Sequence, residues 1–222
     1  MSFADCSAVI LDMDGLVLDT EKTYFIAWQK AAEMMGFELS SSFCESLSGL
    51  QFEIVEQRLL NLFGDSFQIE QFRRLSTQSW YQYVQANGID VKKGFYTLMT
   101  VLQQHNIPYC LATNSDQKNT LECLTLAGVN NLFPLLITRD QVKFGKPSPD
   151  IFLEAARQLR KLIGNCLAAE DSSIGVQAAK SAGAYTVYIP SSQPERADAA
   201  DLMLEDLRQL AGMIQEYFYI LK

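Results

Sequence analysis

Short unbroken apolar runs alternate along the chain with longer stretches whose apolar positions recur at helical spacing. Ala8-Val9-Ile10-Leu11, Tyr109-Cys110-Leu111-Ala112, Leu135-Leu136-Ile137, Cys166-Leu167-Ala168-Ala169 and Tyr185-Thr186-Val187-Tyr188-Ile189 are runs of the first kind. Continuous apolar segments of this type suit the interior of a parallel sheet covered on both faces. Helical patterns fall between them: about Gly94 to Gln104, Gln117 to Ala127 ending at Gly128, Pro149 to Leu162 ending at Gly164, and Ile174 to Ala182 before Gly183. Glycine just past the last periodic residue is a common helix stop. The alternation predicts an α/β fold, a doubly wound, Rossmann-like parallel sheet with right-handed crossovers.

One stretch breaks this rhythm. Between the first strand and Gly94 the pattern reads as helices only, at Glu21 to Met35, about Gln51 to Leu62 and about Glu70 to Gln85, separated at Gly36, Gly49, Gly64 and Asn87-Gly88. A block of that size does not fit inside one crossover. It predicts an inserted all-helical domain over 18–91, joined near Leu16–Asp19 and Ile89–Gly94 to a core of 1–17 and 92–222. Residues Ser191 to Leu204 read as a surface loop, and a last amphipathic helix from Leu204 to about Tyr217 as packing.

Composition narrows the function. Hydrophobic residues make up 48% and charged residues 20%, the balance of a folded globular chain. With 18 basic and 26 acidic side chains the formal charge is −8, which repels polyanions and argues against a nucleic-acid partner. No apolar run is long enough to span a bilayer, and the first residues carry no basic-then-apolar leader. The five cysteines, at 6, 44, 110, 123 and 166, are odd in number and lack CxxC spacing, so reduced thiols in a cytoplasmic setting are expected. His105 is the single histidine and sits in a polar stretch, which leaves histidine chemistry little material.

The candidate chemistry gathers at the ends of the predicted strands, where open parallel sheets place their sites. Asp12-Met13-Asp14-Gly15 follows the first strand, with Asp19 close behind. Two carboxylates one residue apart repel each other unless a cation holds them, although the pair alone is also compatible with a polar turn. The second strand runs into Thr113-Asn114-Ser115 and a helix N-terminus, where a hydroxyl and free N–H groups cradle phosphate or simply cap the helix. The fourth runs into Glu170-Asp171-Ser172. Between them, Lys146 lies in Gly145-Lys146-Pro147-Ser148-Pro149-Asp150, a loop stiffened by two prolines. Carboxylates, hydroxyl, lysine and carboxylates at successive strand ends together suit a phosphate-plus-Mg²⁺ site.

These four motifs, in this order and with a helical insert after the first, resemble the haloacid dehalogenase-like hydrolases, in the helical-cap branch that includes β-phosphoglucomutase and many small-metabolite phosphatases. The resemblance covers essentially the whole chain. It implies Asp12 as the nucleophile that forms an aspartyl-phosphate and Asp14 as general acid/base. It implies Thr113, Asn114 and Lys146 as phosphate-binding groups, with Ser115 and Ser172 in a supporting rank. Mg²⁺ would be held by Asp12, the backbone carbonyl of Asp14, Asp171 and, directly or through water, Glu170. Asp14 also favours phosphoryl transfer, because the resemblance implies that dehalogenase relatives lack that carboxylate. The inserted domain becomes a cap whose loop Ser48-Gly49-Leu50-Gln51-Phe52-Glu53 reads the substrate. Mutase relatives place an arginine there; this stretch has no cation, and the nearest is Arg58. The expected activity is therefore phosphatase action on a small phosphorylated metabolite, by a monomer. A β-phosphoglucomutase-like mutase is the alternative, and a catalytically inactive binding relative a further one. Phe52, Trp28 and Tyr24 are candidates for an apolar substrate pocket, against ordinary cap packing.

Overall fold

The computed structural model describes residues 3–47, 52–64, 66–191 and 197–220. The chain divides into two compact units, Thr20–Ile89 and Met1–Asp19 with Asp90–Lys222.

The smaller unit is helical: α1 (Thr20–Met34), α2 (Ser41–Glu45), α3 (Phe52–Phe63) and α4 (Ile69–Asn87). Its core gathers Ala31 and Ala32 of α1, Leu39, Cys44, Leu47, Val55, Leu59, Phe67 and Phe72. Small residues at Ala27 and Ala31, one turn apart, let α1 and α4 approach closely. Helix α2 was not anticipated, because five residues are too few to show a period; Ser40 starts it by accepting from Phe43 N at 3.1 Å. Tyr24 stacks between Trp28 and Trp80, at 6.3 and 5.7 Å between ring centroids. Trp80 is buried and its Nε1 donates to Thr23 Oγ1 at 2.8 Å, so the aromatic group is tied into the packing of α1 on α4. Residues 48–51 of the candidate substrate loop lie outside the described residues. Arg58 of α3 donates to the Ser46 carbonyl at 2.9 Å.

The larger unit holds one parallel sheet: β1 (Ala8–Leu11), β2 (Tyr109–Ala112), β3 (Leu136–Ile137), β4 (Cys166–Glu170), β5 (Tyr185–Tyr188) and β6 (Leu202–Met203), in the order β3-β2-β1-β4-β5-β6. Each of β1, β2 and β4 is buried along its length, which is why they read as apolar runs without alternation. Ile10 lies beside Cys110 on one side and Ala168 on the other. Its face packs with Ile151, Phe152, Ala155, Ala178 and Ala179 from α7 (Asp150–Gln158) and α8 (Ser173–Ala182). On the opposite face Val9 and Leu167 line a small cavity with Ile214 of α9 (Leu207–Ile220), which packs on α5 (Phe95–Gln104). Helix α6 (Gln117–Leu126) follows β2. The chain builds outward from β1 to β2 to β3, then returns to place β4 on the far side of β1. That reversal opens a crevice at the carboxyl ends of β1, β2 and β4.

Three expectations need correction. Helix α7 ends at Gln158, not near Leu162, because Arg160 takes a left-handed φ of 57° and Lys161 N bonds back to Ala156 O; a non-glycine residue turns the chain before Gly164 is reached. Residues 191–204 are not all loop, since β6 pairs with the edge of β5; two residues are too short for a pattern to reveal. The last helix starts at Leu207, not Leu204, because Asp206 Oδ1 caps it, accepting from Arg208 N at 2.9 Å and Gln209 N at 3.1 Å.

Burial works against the charge of Asp206, but Lys93, the Gln209 N–H and Arg208 outweigh it and hold the carboxyl down at about 2. Asp206→Ala is expected to cost about 1 kcal/mol of stability at neutral pH in denaturant titrations. A depressed native pKa means that this contribution is complete above the ordinary carboxylate range and fades as pH falls toward 2, so the gap between wild type and variant should close in acid.

Candidate functional site

Asp12 follows the last residue of β1 and is fixed from the backbone, its N–H donating to Ala169 O of β4 at 3.1 Å. The chain then turns tightly: Val17 N and Leu18 N both donate to Met13 O, at 3.0 and 2.9 Å, and Gly15 N donates to Leu18 O at 2.9 Å. Gly15 has φ +82°, and a Cβ there would lie 1.9 Å from Asp171 Oδ2. The turn needs glycine both for its conformation and for the space the carboxylate takes.

The two carboxylates of the first motif diverge. Asp14 leans to the end of β2, where its Oδ2 accepts from Ser115 Oγ at 3.1 Å and from Thr113 Oγ1 at 3.4 Å. Thr113 Oγ1 in turn accepts from Ser115 N at 3.0 Å. Asp12 faces Lys146, whose ammonium donates to Asp12 Oδ1 and to Ala112 O, the latter at 2.9 Å. Lys146 is buried and also lies over the Phe152 ring, 5.3 Å from its centroid.

Glu170, the last residue of β4, is fully buried, with Oε1 2.6 Å from Lys146 Nζ. That contact has the distance of an ion pair but lies off the direction of a hydrogen bond, and Oε1 is left as a buried acceptor without one. Burial pushes the Glu170 carboxyl up to about 8, with Lys146 pulling it back and Asp12 adding to the rise. For Lys146, burial opposes the charge, but Asp12 and Glu170 outweigh it and hold the ammonium above its ordinary range. Carboxylate oxygens of Asp12, Glu170 and Asp171 all lie within 4.8 Å of one another. Three carboxylates that each bring a hard oxygen this close together fit a divalent cation such as Mg²⁺.

The structure therefore brings Asp12, Lys146, Glu170 and Asp171 to one point, with Asp14, Thr113 and Ser115 beside it. Asn114 is present too, but both ends of its amide meet the backbone of Lys146: Oδ1 accepts from Lys146 N at 2.8 Å and Nδ2 donates to Lys146 O at 3.1 Å. Ser172 caps α8, accepting from Gly175 N at 3.1 Å, and its hydroxyl reaches Glu170 Oε2 at 3.5 Å. Two glycines escaped the sequence reading. A Cβ on Gly175 would sit 1.9 Å from Glu170 Oε2, and one on Gly145 would sit 2.5 Å from Asn114 Oδ1. A glycine in the first turn of a helix that alanine would favour by about 1 kcal/mol was a usable signal for the first of them.

Cysteine chemistry finds no support here. Burial pushes the thiols of Cys44 and Cys166 up to about 11, those of Cys6 and Cys123 to about 12, and that of Cys110 above its ordinary value as well. No helix among the described residues is long and apolar enough to cross a membrane.

Comparison with known proteins agrees with this geometry. The family model for haloacid dehalogenase-like hydrolases matches residues 9–189. A phosphorylated carbohydrates phosphatase from Thermotoga maritima is 31% identical over 185 residues, 82% of this chain and 83% of its own. A β-phosphoglucomutase from Bacillus subtilis is 30% identical over 210 residues, 91% of each chain. Among solved structures, a hydrolase from Deinococcus radiodurans R1 with bound phosphate and sodium has a TM-score of 0.85 at 22% identity, over 97% of each chain, a likeness of fold.

Proposed function

The chain belongs to the haloacid dehalogenase-like hydrolases, and from that premise we propose that it is a Mg²⁺-dependent phosphatase of small phosphorylated metabolites, working through a phosphoaspartate on Asp12. The observation that carries this reading is the division of labour between two carboxylates. Asp12 is held beside an ammonium and two further carboxylates, while Asp14 is held apart from them by two hydroxyls.

In the first step a carboxylate oxygen of Asp12 attacks phosphorus and the P–O bond to the leaving alcohol breaks. Asp14, entering as the acid, gives its proton to the departing oxygen. In the second step Asp14, now a carboxylate, takes a proton from water as that water attacks the phosphoaspartate, which returns Asp12 and releases inorganic phosphate. Lys146 and the backbone N–H of Asn114 offset charge on the phosphoryl oxygens. Mg²⁺ held by Asp12, Asp171 and Glu170, with the carbonyl of Asp14, would supply the positive charge that lets a carboxylate approach a phosphate dianion. The helical unit, 20–89, is assigned the cap function that selects the leaving alcohol.

A mutase reading draws support from the β-phosphoglucomutase relative, whose identity is close to that of the phosphatase. Against it stand the lack of any cation in 48–53 and the use of Arg58 on the Ser46 carbonyl. Purified protein is expected to release inorganic phosphate from p-nitrophenyl phosphate and from sugar monophosphates in Mg²⁺, and none in EDTA. Conversion of a sugar 1-phosphate to its 6-phosphate without phosphate release would instead establish the mutase, and no reaction with any ester would reject both.

A further inference from the structure

We propose that Asn114 is a positioning residue for Lys146, acting on the phosphoryl group through that lysine and not through its own amide; this rests on the phosphoryl-transfer reading above. A side-chain amide offers an acceptor oxygen and two donor hydrogens. Oδ1 takes the Lys146 N–H at 2.8 Å and Nδ2 gives to the Lys146 carbonyl at 3.1 Å, so both backbone polar groups of one residue are closed by a single side chain. That two-point clamp fixes the backbone from which the Lys146 ammonium reaches Asp12 and the Ala112 carbonyl.

The surroundings hold the amide in this task. A Cβ on Gly145 would lie 2.5 Å from Asn114 Oδ1, 2.6 Å from Arg139 Cδ and 2.8 Å from Arg139 Nε, so residue 145 has room for hydrogen alone. Arg139 is itself anchored at both ends, its N–H on Ser115 O at 3.0 Å and its Nη1 on Val142 O at 3.0 Å. The loop between β3 and α7 is thus tied to the end of β2 through Asn114 and Arg139. A displacement of about 1 Å at a reacting group costs on the order of 10²-fold in rate, which sets the scale for losing the clamp.

The test is p-nitrophenyl phosphate turnover in Mg²⁺ by wild type, Asn114→Ala, Lys146→Ala, the double variant and Gly145→Ala, each with its melting temperature recorded. Asn114→Ala should lose about 10–100-fold in kcat as folded protein. In the Lys146→Ala background the same change should cost less than about two-fold, because the group it positions is gone. Gly145→Ala, with both side chains intact but the amide displaced, should reproduce the Asn114→Ala loss. Wild-type kcat in either Asn114→Ala or Gly145→Ala would overturn the proposal, as would losses that multiply in the double variant, the behaviour of a direct phosphate ligand. Failure of wild type itself to turn over any ester would overturn the phosphoryl-transfer reading and this proposal with it.

Discussion

Asp12→Asn is expected to fold normally and to lose turnover by roughly 10⁴–10⁶-fold, the scale seen when a nucleophile that works as part of a unit is removed. The amide matches the carboxylate in size, and its oxygen can still accept from Lys146, so the crowded end of β1 keeps its shape. What disappears is the anionic oxygen that attacks phosphorus, together with one of the three carboxylates gathered within 4.8 Å. Circular dichroism and p-nitrophenyl phosphate turnover, measured on the same sample, check both halves of the expectation. Retention of more than a few per cent of activity would remove Asp12 from the nucleophile's role.

Lys146→Met is expected to have the largest effect on stability. The ammonium is buried between Asp12 and Glu170, 2.6 Å from the latter, and deleting it leaves two buried carboxylates facing each other. Breaking a buried ion pair from one side typically costs about 3–5 kcal/mol. That loss is also expected to respond to metal. A divalent cation held by the same carboxylates replaces the missing positive charge, so Mg²⁺ should recover part of the lost stability and should stabilise the variant more than wild type. Urea unfolding of both proteins, with Mg²⁺ and with EDTA, reads this directly. Equal stabilisation of the two by Mg²⁺ would mean that Lys146 and the cation do not share the carboxylates.

The parallel sheet was legible because its central strands are buried on both faces and so contain almost nothing polar until they end. The polar residues that do end them, Asp12, Thr113 and Glu170, stand out for the same reason. Elements too short to repeat a period left no such mark: α2 is a five-residue helix started by a local serine cap, and β6 is two residues held by pairing to the edge of β5. The end of α7 was misplaced because Arg160 adopts a conformation that glycine normally supplies. At the site, spacing pointed to residue types but not to directions. It placed Asp12 and Asp14 in one turn without showing that one faces Lys146 and the other Ser115. Nor did it show that the Asn114 amide, which the family resemblance implies to be phosphate-binding, bonds the backbone N–H and carbonyl of Lys146. Gly145 was unreadable as a site residue because what excludes a side chain there is an amide brought in from the end of β2, whereas Gly175, set in the first turn of a helix, did carry a signal.

The most direct test of the central claim is covalent trapping of phosphate on Asp12. Asp14→Asn removes the base for the second step but leaves the first possible with an activated ester, whose leaving group needs no proton. Mixing this variant with p-nitrophenyl phosphate in Mg²⁺, quenching in acid and mapping the peptides by mass spectrometry should reveal phosphate on the peptide containing Asp12, and none there in Asp12→Asn/Asp14→Asn. Nitrophenol release with no covalent phosphate, or with phosphate on a different residue, would contradict the account.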